Sequence, residues 1–446
     1  MLVQVREAPG RGRGIFAARP ISAGEVVLRA PPVLLYPQHG TAAAFCSHCL
    51  RAFNSLEENA ASVVACSSCG LVGFCGAACA AAAAADPGSH CPAVCRLLSA
   101  CNLAGLNDEQ QTALQFLFRC CSLRAAVAAG DSDAAARLAT ITSLSAPPVL
   151  PPSDAADGAA PSSSGGGGGD GLSSWSAGST AVRELHGRLN HALAAAGAGP
   201  AAALGVEEVA ELLRRDAANG YGIMAPSAPD GERRIRGTGI YSLPSLLNHE
   251  CLPNVARFDC FDREPSGPRA NACVEFRALH DIPAGEEVTQ SYFPLPWPLG
   301  ERQQRCREDY GFECACPRCK EEATWSEEES EWETDEDAGM EDAEAAGAAT
   351  AGGAAPAHAH AHGDQQQQQQ QGAAAAGAAG QEQQVDPAYI NLFLLKYVCP
   401  REGCYGTLAP LPGQPAGQPG GPLFECNMCG GRRSEAEFLA ELEAAD

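Results

Sequence analysis

The sequence predicts an α+β chain: short strands in small sheets, with helical segments and cysteine-rich modules set among them. Three observations carry this expectation. Short apolar runs broken by turn residues occupy positions 1–37 and return over 219–293. Helical periodicity fills 101–142, 181–195 and 206–218. The 22 cysteines fall mostly into separated clusters.

Val3 and Val5 alternate with polar neighbours, as in a half-buried strand, and Gly10 to Gly14 reads as a loop. Ile15–Ala17 and Val26–Leu28 read as strands parted by the turn Ser22-Ala23-Gly24. Leu114, Leu117 and Phe118 share one helical face. Residues 145–180 are rich in Pro, Ser and Gly, with five consecutive glycines at 165–169, and read as a flexible linker. A helix is expected over 298–310. The segment 321–386 holds 16 acids and no Lys or Arg, an Ala-His repeat (His358, His360, His362) and seven glutamines at 365–371. It cannot bury enough apolar surface to offset its chain entropy and reads as a disordered linker. Order is expected again from Ile390, with a terminal helix near 433–443.

The chain has 446 residues and a net charge of −24, from 54 acids against 30 bases. That balance argues against docking on bulk nucleic acid or an anionic membrane, and it suits a basic protein partner. No basic stripe accompanies the cysteine clusters, so a DNA-binding zinc protein is disfavoured. The start Met-Leu-Val-Gln-Val-Arg-Glu carries no apolar signal-peptide run, and no span of 18 apolar residues occurs outside alanine tracts. The expectation is a reducing, intracellular setting, in which clustered cysteines are metal ligands and not disulfides.

Cys46 and Cys49, and Cys66 and Cys69, are thiolate pairs spaced to grip one tetrahedral zinc from a single turn. Cys75 and Cys79 lie four apart and share a face if a helix starts there. His90, Cys91 and Cys95 follow. Eight ligands make two zinc sites, with Cys46, Cys49, Cys75 and Cys79 on one and Cys66, Cys69 and a late pair on the other. The spacing resembles the MYND zinc finger. That family ends His-x3-Cys, whereas His90 and Cys95 are separated by four residues and Cys91 holds the family spacing, so the reading leans to Cys91, with His90 as the alternative. Alanines 80–85 replace the polar and aromatic residues usual after Cys79, so the expectation is a degraded partner surface on the finger. Cys314, Cys316 and Cys319 leave a structural zinc one ligand short. Cys399, Cys404, Cys426 and Cys429 fit a zinc ribbon.

Three further stretches occur in order: Gly12-Arg13-Gly14 after a strand; Asn248-His249-Glu250-Cys251-x-Pro253-Asn254; and Gly285-Glu286-Glu287-Val288-x-x-Ser291-Tyr292 followed by Tyr310-Gly311-Phe312-Glu313-Cys314. Singly each has a bland reading as a turn or a strand. Together, with the Cys-x-Cys-x2-Cys run behind them, they resemble the SET domain of protein lysine methyltransferases. With the finger inserted after the first strands, the chain resembles the SET-and-MYND group, and its layout is most like the trithorax-related plant and algal members. The resemblance covers 1–100 and 181–320 well and 387–446 loosely.

The resemblance implies a SET β-fold in which the Asn-His and Tyr292 segments cross in a pseudo-knot. It divides the chain into a SET N-terminal part (1–45), finger (46–95), helical insert (96–144), linker (145–180), SET core (181–297), post-SET zinc motif (298–320), linker (321–386) and ribbon with terminal helix (387–446). S-adenosylmethionine would be held by Arg11, Gly12, Arg13, Gly14, Asn219, Ser245, Leu246, Asn248 and His249, with Phe312 on the adenine. Cys251 would supply the missing fourth ligand to Cys314, Cys316 and Cys319. Tyr292 matches the catalytic tyrosine, and Tyr241 and Tyr221 would line a lysine channel. Four zinc ions would be structural, each with four protein ligands. The implied activity is methylation of protein lysines, with a histone H3-type tail as the expected substrate, a possible protein partner on the finger, and the nucleus, the cytoplasm or both as its setting. The competing reading is a non-catalytic zinc scaffold in a transcription complex, which would tolerate loss of Asn248, His249 or Tyr292; all three are present.

Overall fold

A computed structural model of the chain describes residues 2–41, 43–53, 63–148, 172, 175–225, 234–259, 261–262, 270–325, 385–414 and 421–445. The central part of the linker read over 145–180, and most of the acidic, histidine- and glutamine-rich segment, lie outside the described residues.

The strands come in chain order as β1 (Val3–Ala8), β2 (Gly12–Ala17), β3 (Val26–Ala30), β4 (Leu34–Pro37), β5 (Val64–Ala65) and β6 (Gly73–Phe74). Helices α1 (Ala77–Ala85), α2 (Pro92–Ala100), α3 (Asp108–Ala128), α4 (Ser132–Ser143), α5 (Thr180–Ala195) and α6 (Val206–Asn219) follow. Strands resume as β7 (Gly220–Met224), β8 (Ile235–Ile240), β9 (Asn248–His249), β10 (Val255–Asp259), β11 (Val274–Ala278) and β12 (Glu287–Gln290). The C-terminal part adds α7 (Leu299–Tyr310), α8 (Pro317–Glu322), α9 (Pro387–Tyr397), β13 (Leu408–Pro410), β14 (Leu423–Cys426), β15 (Arg432–Ser434) and α10 (Glu435–Ala445).

Among the described residues the strands form small sheets ordered β1-β2-β12-β9, β10-β11-β3, β4-β8-β7, β13-β14-β15 and β5-β6. The first sheet is mixed: β2 pairs β12 antiparallel, while β12 pairs β9 in parallel, setting Thr289 opposite Asn248 and Gln290 opposite His249. This crossing is pinned by Asn254, whose amide donates to Glu287 O at 2.8 Å and accepts from Thr289 N–H at 2.8 Å. A buried amide with its donor and acceptor both used is worth more to uniqueness than to net stability.

Two cores meet here. Ile15, Val27, Val274, Phe276 and Val288 fill the space between the β-sheets. A helical lobe is built on α3, whose residues Leu114, Phe116, Leu117 and Phe118 are fully buried. Helix α3 begins with a reciprocal cap: Gln110 N–H donates to Asn107 Oδ1 at 2.8 Å, and Asn107 N–H donates to Gln110 Oε1 at 3.1 Å. A third cluster joins Ala256 and Phe258 of β10, and Leu279 and Leu295 of the segments after β11 and β12, to Phe393, Tyr397, Leu408 and Phe424 of the C-terminal module.

The structure corrects three readings of local structure. The loop read over Gly10–Gly14 ends sooner, because Gly12 and Arg13 already pair with Ala8 and Glu7 in the β1-β2 hairpin. The linker read over 145–180 contributes Leu172 and Trp175 to the buried interior. The acidic segment does not begin at Glu321: α8 runs to Glu322, which pairs with Arg302 and, at 2.6 Å, with Arg318. Both arginines are buried, so Glu322 neutralises internal charge. Among the described residues no helix is long and apolar enough to cross a membrane.

Candidate active site and zinc centres

Four groups of ligand atoms each gather within 4.8 Å: Cys46, Cys49, Cys75 and Cys79; Cys66, Cys69, His90 and Cys95; Cys251, Cys314, Cys316 and Cys319; Cys399, Cys404, Cys426 and Cys429. A tetrahedral zinc with bonds of about 2.3 Å sets its sulfurs about 3.8 Å apart. The Sγ–Sγ distances match: 3.7 Å for Cys49–Cys75, 3.9 Å for Cys66–Cys95, 3.5 Å for Cys251–Cys319 and 3.7 Å for Cys404–Cys426. The donor sets are four thiolates, or three thiolates and an imidazole, with no open position, and they fit structural zinc.

One ligand differs from the expectation. His90 Nε2 lies 3.4 Å from Cys69 Sγ, inside the second group, while Cys91 stands apart from it. Cys91 is the residue before α2, and its thiol turns to Ser122 Oγ at 3.2 Å on α3. The helical lobe therefore takes Cys91 as core, and the longer imidazole spans the extra residue of spacing.

Two cavities open on the β9–β12 crossing. The larger, about 880 Å³, is lined by Arg11, Gly12, Arg13, Asn219, Ser245, Leu246, Asn248, His249 and Phe312. The other, about 590 Å³, is lined by Tyr221, Arg257, Gln290 and Ser291. Tyr292 and Tyr310 line both, so the two cavities meet at a pair of tyrosines whose ring centroids are 4.6 Å apart. Both volumes lie within the range of small-molecule sites.

Gly14 does not line the larger cavity; it sits behind it. A Cβ there would come 2.7 Å from Glu287 Oε1 and 3.0 Å from Asn248 Nδ2. Glycine thus lets Asn248 donate to Glu287 Oε1 at 2.7 Å, and Glu287 in turn pairs with Arg11. With its NH2 group held this way, the amide oxygen of Asn248 is the group left for a ligand. Gly12, at φ +71, makes the turn into β2 in a conformation costly for other residues.

His249 is buried between the two functional regions. Tyr292 N–H donates to its Nδ1 at 3.2 Å, so the ring proton is on Nε2, which faces Cys251 Sγ at 3.3 Å. The imidazole therefore ties the third cysteine group to the backbone of Tyr292. Arg302, fully buried, and Arg318 brace that group from α7 and α8.

The hydroxyls are fixed. Tyr292 donates to Leu247 O at 2.9 Å, and Tyr221 donates to Pro244 O at 2.7 Å while accepting from Gln290 Nε2 at 2.6 Å. Burial raises the Tyr292 phenol well above its ordinary value, with Tyr221 and Tyr310 adding to the shift. Burial also pushes Tyr221 up to about 12, against the opposing effects of Gln290 and Arg257. These phenols stay protonated at neutral pH and act as donors, not bases. Tyr241 departs from the channel-lining reading: it is fully buried, its hydroxyl donates to Ala272 O at 2.5 Å, and its ring packs edge-on behind Tyr221 at 5.3 Å. It supports the wall and does not form it.

Sequence reasoning passed over Tyr310 and Gln290 as site residues. Tyr310 stood in the Tyr-Gly-Phe-Glu-Cys run, and its place before Phe312 was the available signal. Gln290 carried none, since its role depends on the register of β12 against β9.

The model of the SET domain family matches residues 12–293. The chain is 34% identical over 440 residues to the histone-lysine N-methyltransferase ASHR2 of Arabidopsis thaliana, across 96% of this chain and 94% of that protein. Shorter matches include the protein-lysine N-trimethyltransferase SMYD5 of Gallus gallus, 40% identical over 115 residues, covering 24% of this chain and 25% of that one. The histone-lysine N-methyltransferase SMYD3 of Mus musculus is 36% identical over 91 residues, covering 20% of this chain and 19% of that one.

Proposed function

The chain belongs to the SET domain family, and from that premise we propose that it methylates lysine side chains of proteins at the meeting point of its two cavities. The observation that carries the reading is the position of Tyr292, whose ring is shared by both cavities while its hydroxyl is locked on Leu247 O. A site that joins two ligands end to end across one fixed donor suits group transfer between them.

S-adenosylmethionine, when bound, supplies an electrophilic methyl group on a sulfonium sulfur. Its place is the larger cavity, where the residues fit: the Asn248 amide oxygen, the Arg11–Arg13 turn and the Phe312 ring offer polar contacts and a flat apolar face. The lysine enters by the smaller cavity. Tyr221, Tyr292 and Tyr310 wall it with aromatic surface, and burial in such walls disfavours ammonium and favours the neutral amine that can attack. Tyr292 and Tyr221 keep their protons, so they orient groups and take none. Alignment, more than acid–base power, is what these residues contribute. The zinc groups stand outside the chemistry, and the Cys251 group holds His249 and through it Tyr292.

A histone tail is the first substrate to test, since a strongly basic segment suits a chain of net charge −24; the working compartment is then the nucleus, the cytoplasm or both. The measurement is transfer of labelled methyl groups to histone octamers and to cell extract. Wild type should label a protein band, and Tyr292→Phe should lower the rate by about tenfold or more, since it removes the hydroxyl whose hydrogen bond to Leu247 O fixes the ring, with S-adenosylhomocysteine still bound. A mutant as active as wild type would overturn the role given to Tyr292; no transfer to any protein would overturn the enzyme reading.

A further inference from the structure

The C-terminal cysteine module forms part of the smaller cavity. Tyr405, Thr407, Asn427 and Met428 line it together with Tyr221 and Tyr292. Tyr405 follows the ligand Cys404, and Met428 precedes the ligand Cys429, so both side chains project from the knuckles that grip the fourth zinc position. Both are large, apolar and exposed, at 49% and 43%. Leaving such groups in water is unfavourable, and paired with a site they signal a contact surface.

The module is not loosely tethered. Its residues Phe393, Leu408 and Phe424 share a core with Ala256, Phe258 and Leu279. Asn427 Nδ2 donates to Arg257 O at 2.9 Å, and Tyr397 donates to Leu279 O at 3.1 Å. Arg277 pairs with Glu425 at 2.7 Å in a largely buried setting. The knuckles are therefore held at a set position against the β10–β11 sheet, whose Arg257 lines the smaller cavity, across more than a hundred residues of sequence.

Four of the five charged residues on the walls pair with each other. Arg257 pairs with Asp259 at 2.7 Å, and Arg305 pairs with Asp309. The free surface facing the cavity at the ribbon is aromatic and thioether, the kind enriched where protein segments bind.

We propose that the zinc ribbon is the specificity wall of the substrate cleft: Tyr405 and Met428 receive a bulky apolar side chain next to the target lysine. This rests on the lysine-methylation reading and names the class of protein segment that it accepts. The ribbon residues are positioning and recognition residues and touch no reacting atom.

The test uses the full chain and a peptide library with a central lysine and randomised flanking positions, read by labelled methyl transfer, with histone octamers as a second probe. Wild type should favour aliphatic or aromatic residues at one or more flanking positions. In Tyr405→Ala/Met428→Ala, kcat/KM for those peptides should fall about tenfold, the worth of about 1.4 kcal/mol of apolar contact. The loss should appear in KM, with kcat, S-adenosylhomocysteine affinity and zinc content unchanged. Glycine-flanked peptides should be methylated equally by both proteins, and Tyr405→Phe/Met428→Leu should restore the preference. A flat or charge-selective wild type, or a preference that survives the double substitution, overturns the ribbon's role while leaving methyl transfer standing. A wild type that labels neither peptides nor histones overturns the underlying reading and this one with it.

Discussion

Replacing Gly14 by alanine should weaken cofactor binding without touching the cavity wall. The added methyl would lie 2.7 Å from Glu287 Oε1 and 3.0 Å from Asn248 Nδ2, against ordinary contact from 3.4 Å. The carboxylate must retreat by roughly 0.7 Å, a forced shift of the kind that makes overpacking costly. Glu287 has little room, because its side chain is only 11% exposed and is tied to both Arg11 and Asn248. The Asn248–Glu287 bond then breaks or turns. A hydrogen bond to a charged group is worth about 1.5–3 kcal/mol, and at 1.4 kcal/mol per decade this predicts roughly 10- to 100-fold weaker binding of S-adenosylhomocysteine. Calorimetric titration measures it. The partner experiment places Gly14→Ala in a Glu287→Ala background, where the crowded atom is gone and the further loss should shrink to about threefold or less. If Gly14→Ala binds within about twofold of wild type, or the loss is the same in both backgrounds, the proposed Gly14–Asn248–Glu287 packing does not control the site.

Elemental analysis should find four zinc ions per chain, one for each group of four ligands. Cys91→Ala should keep all four, whereas His90→Ala should lose or loosen the second; the reverse pattern would restore the sequence-based assignment. A buried Asp216 gives a pH dependence. Tyr36 Oη lies 2.6 Å from both its carboxylate oxygens, and burial pushes the carboxyl up to about 7, with the Tyr36 hydrogen bond opposing. Since the folded value exceeds the unfolded one, the native state holds a proton that the unfolded chain has lost. The stabilisation is full below about pH 4 and is lost as pH rises through 7. Between pH 6 and 8, where the thiolates still hold metal, wild-type stability in urea should fall by about 1 kcal/mol relative to Asp216→Asn. Parallel curves would refute a raised Asp216.

Much of the site was legible because its signals are local or come as ordered motifs. The thiolate pairs three apart, and the Asn-His-x-Cys run, state their chemistry within a single turn. The cap at Asn107 and Gln110 and the apolar face of α3 are likewise written at helical spacing. Prediction lost accuracy where a choice between neighbours depended on distant packing. Cys91 and His90 are adjacent and both able to bind zinc, and the decision was made by Ser122, on another helix. Tyr241 and Tyr221 looked equivalent as aromatic wall candidates. Ala272 O, in a segment beyond the Asn-His motif, takes the hydroxyl of the first and leaves the second to face the cavity.

The ligand inventory, the order of the methyl-transfer motifs and the α+β class are legible from the chain alone, since spacing and periodicity are properties of short stretches of chain. Tertiary packing settled which member of each ambiguous pair serves, set Tyr310 beside Tyr292 between the cavities, and brought the ribbon to the wall of the smaller cavity. Those outcomes depend on burial and orientation, which are set by contacts between residues far apart in the chain and carry no local signature.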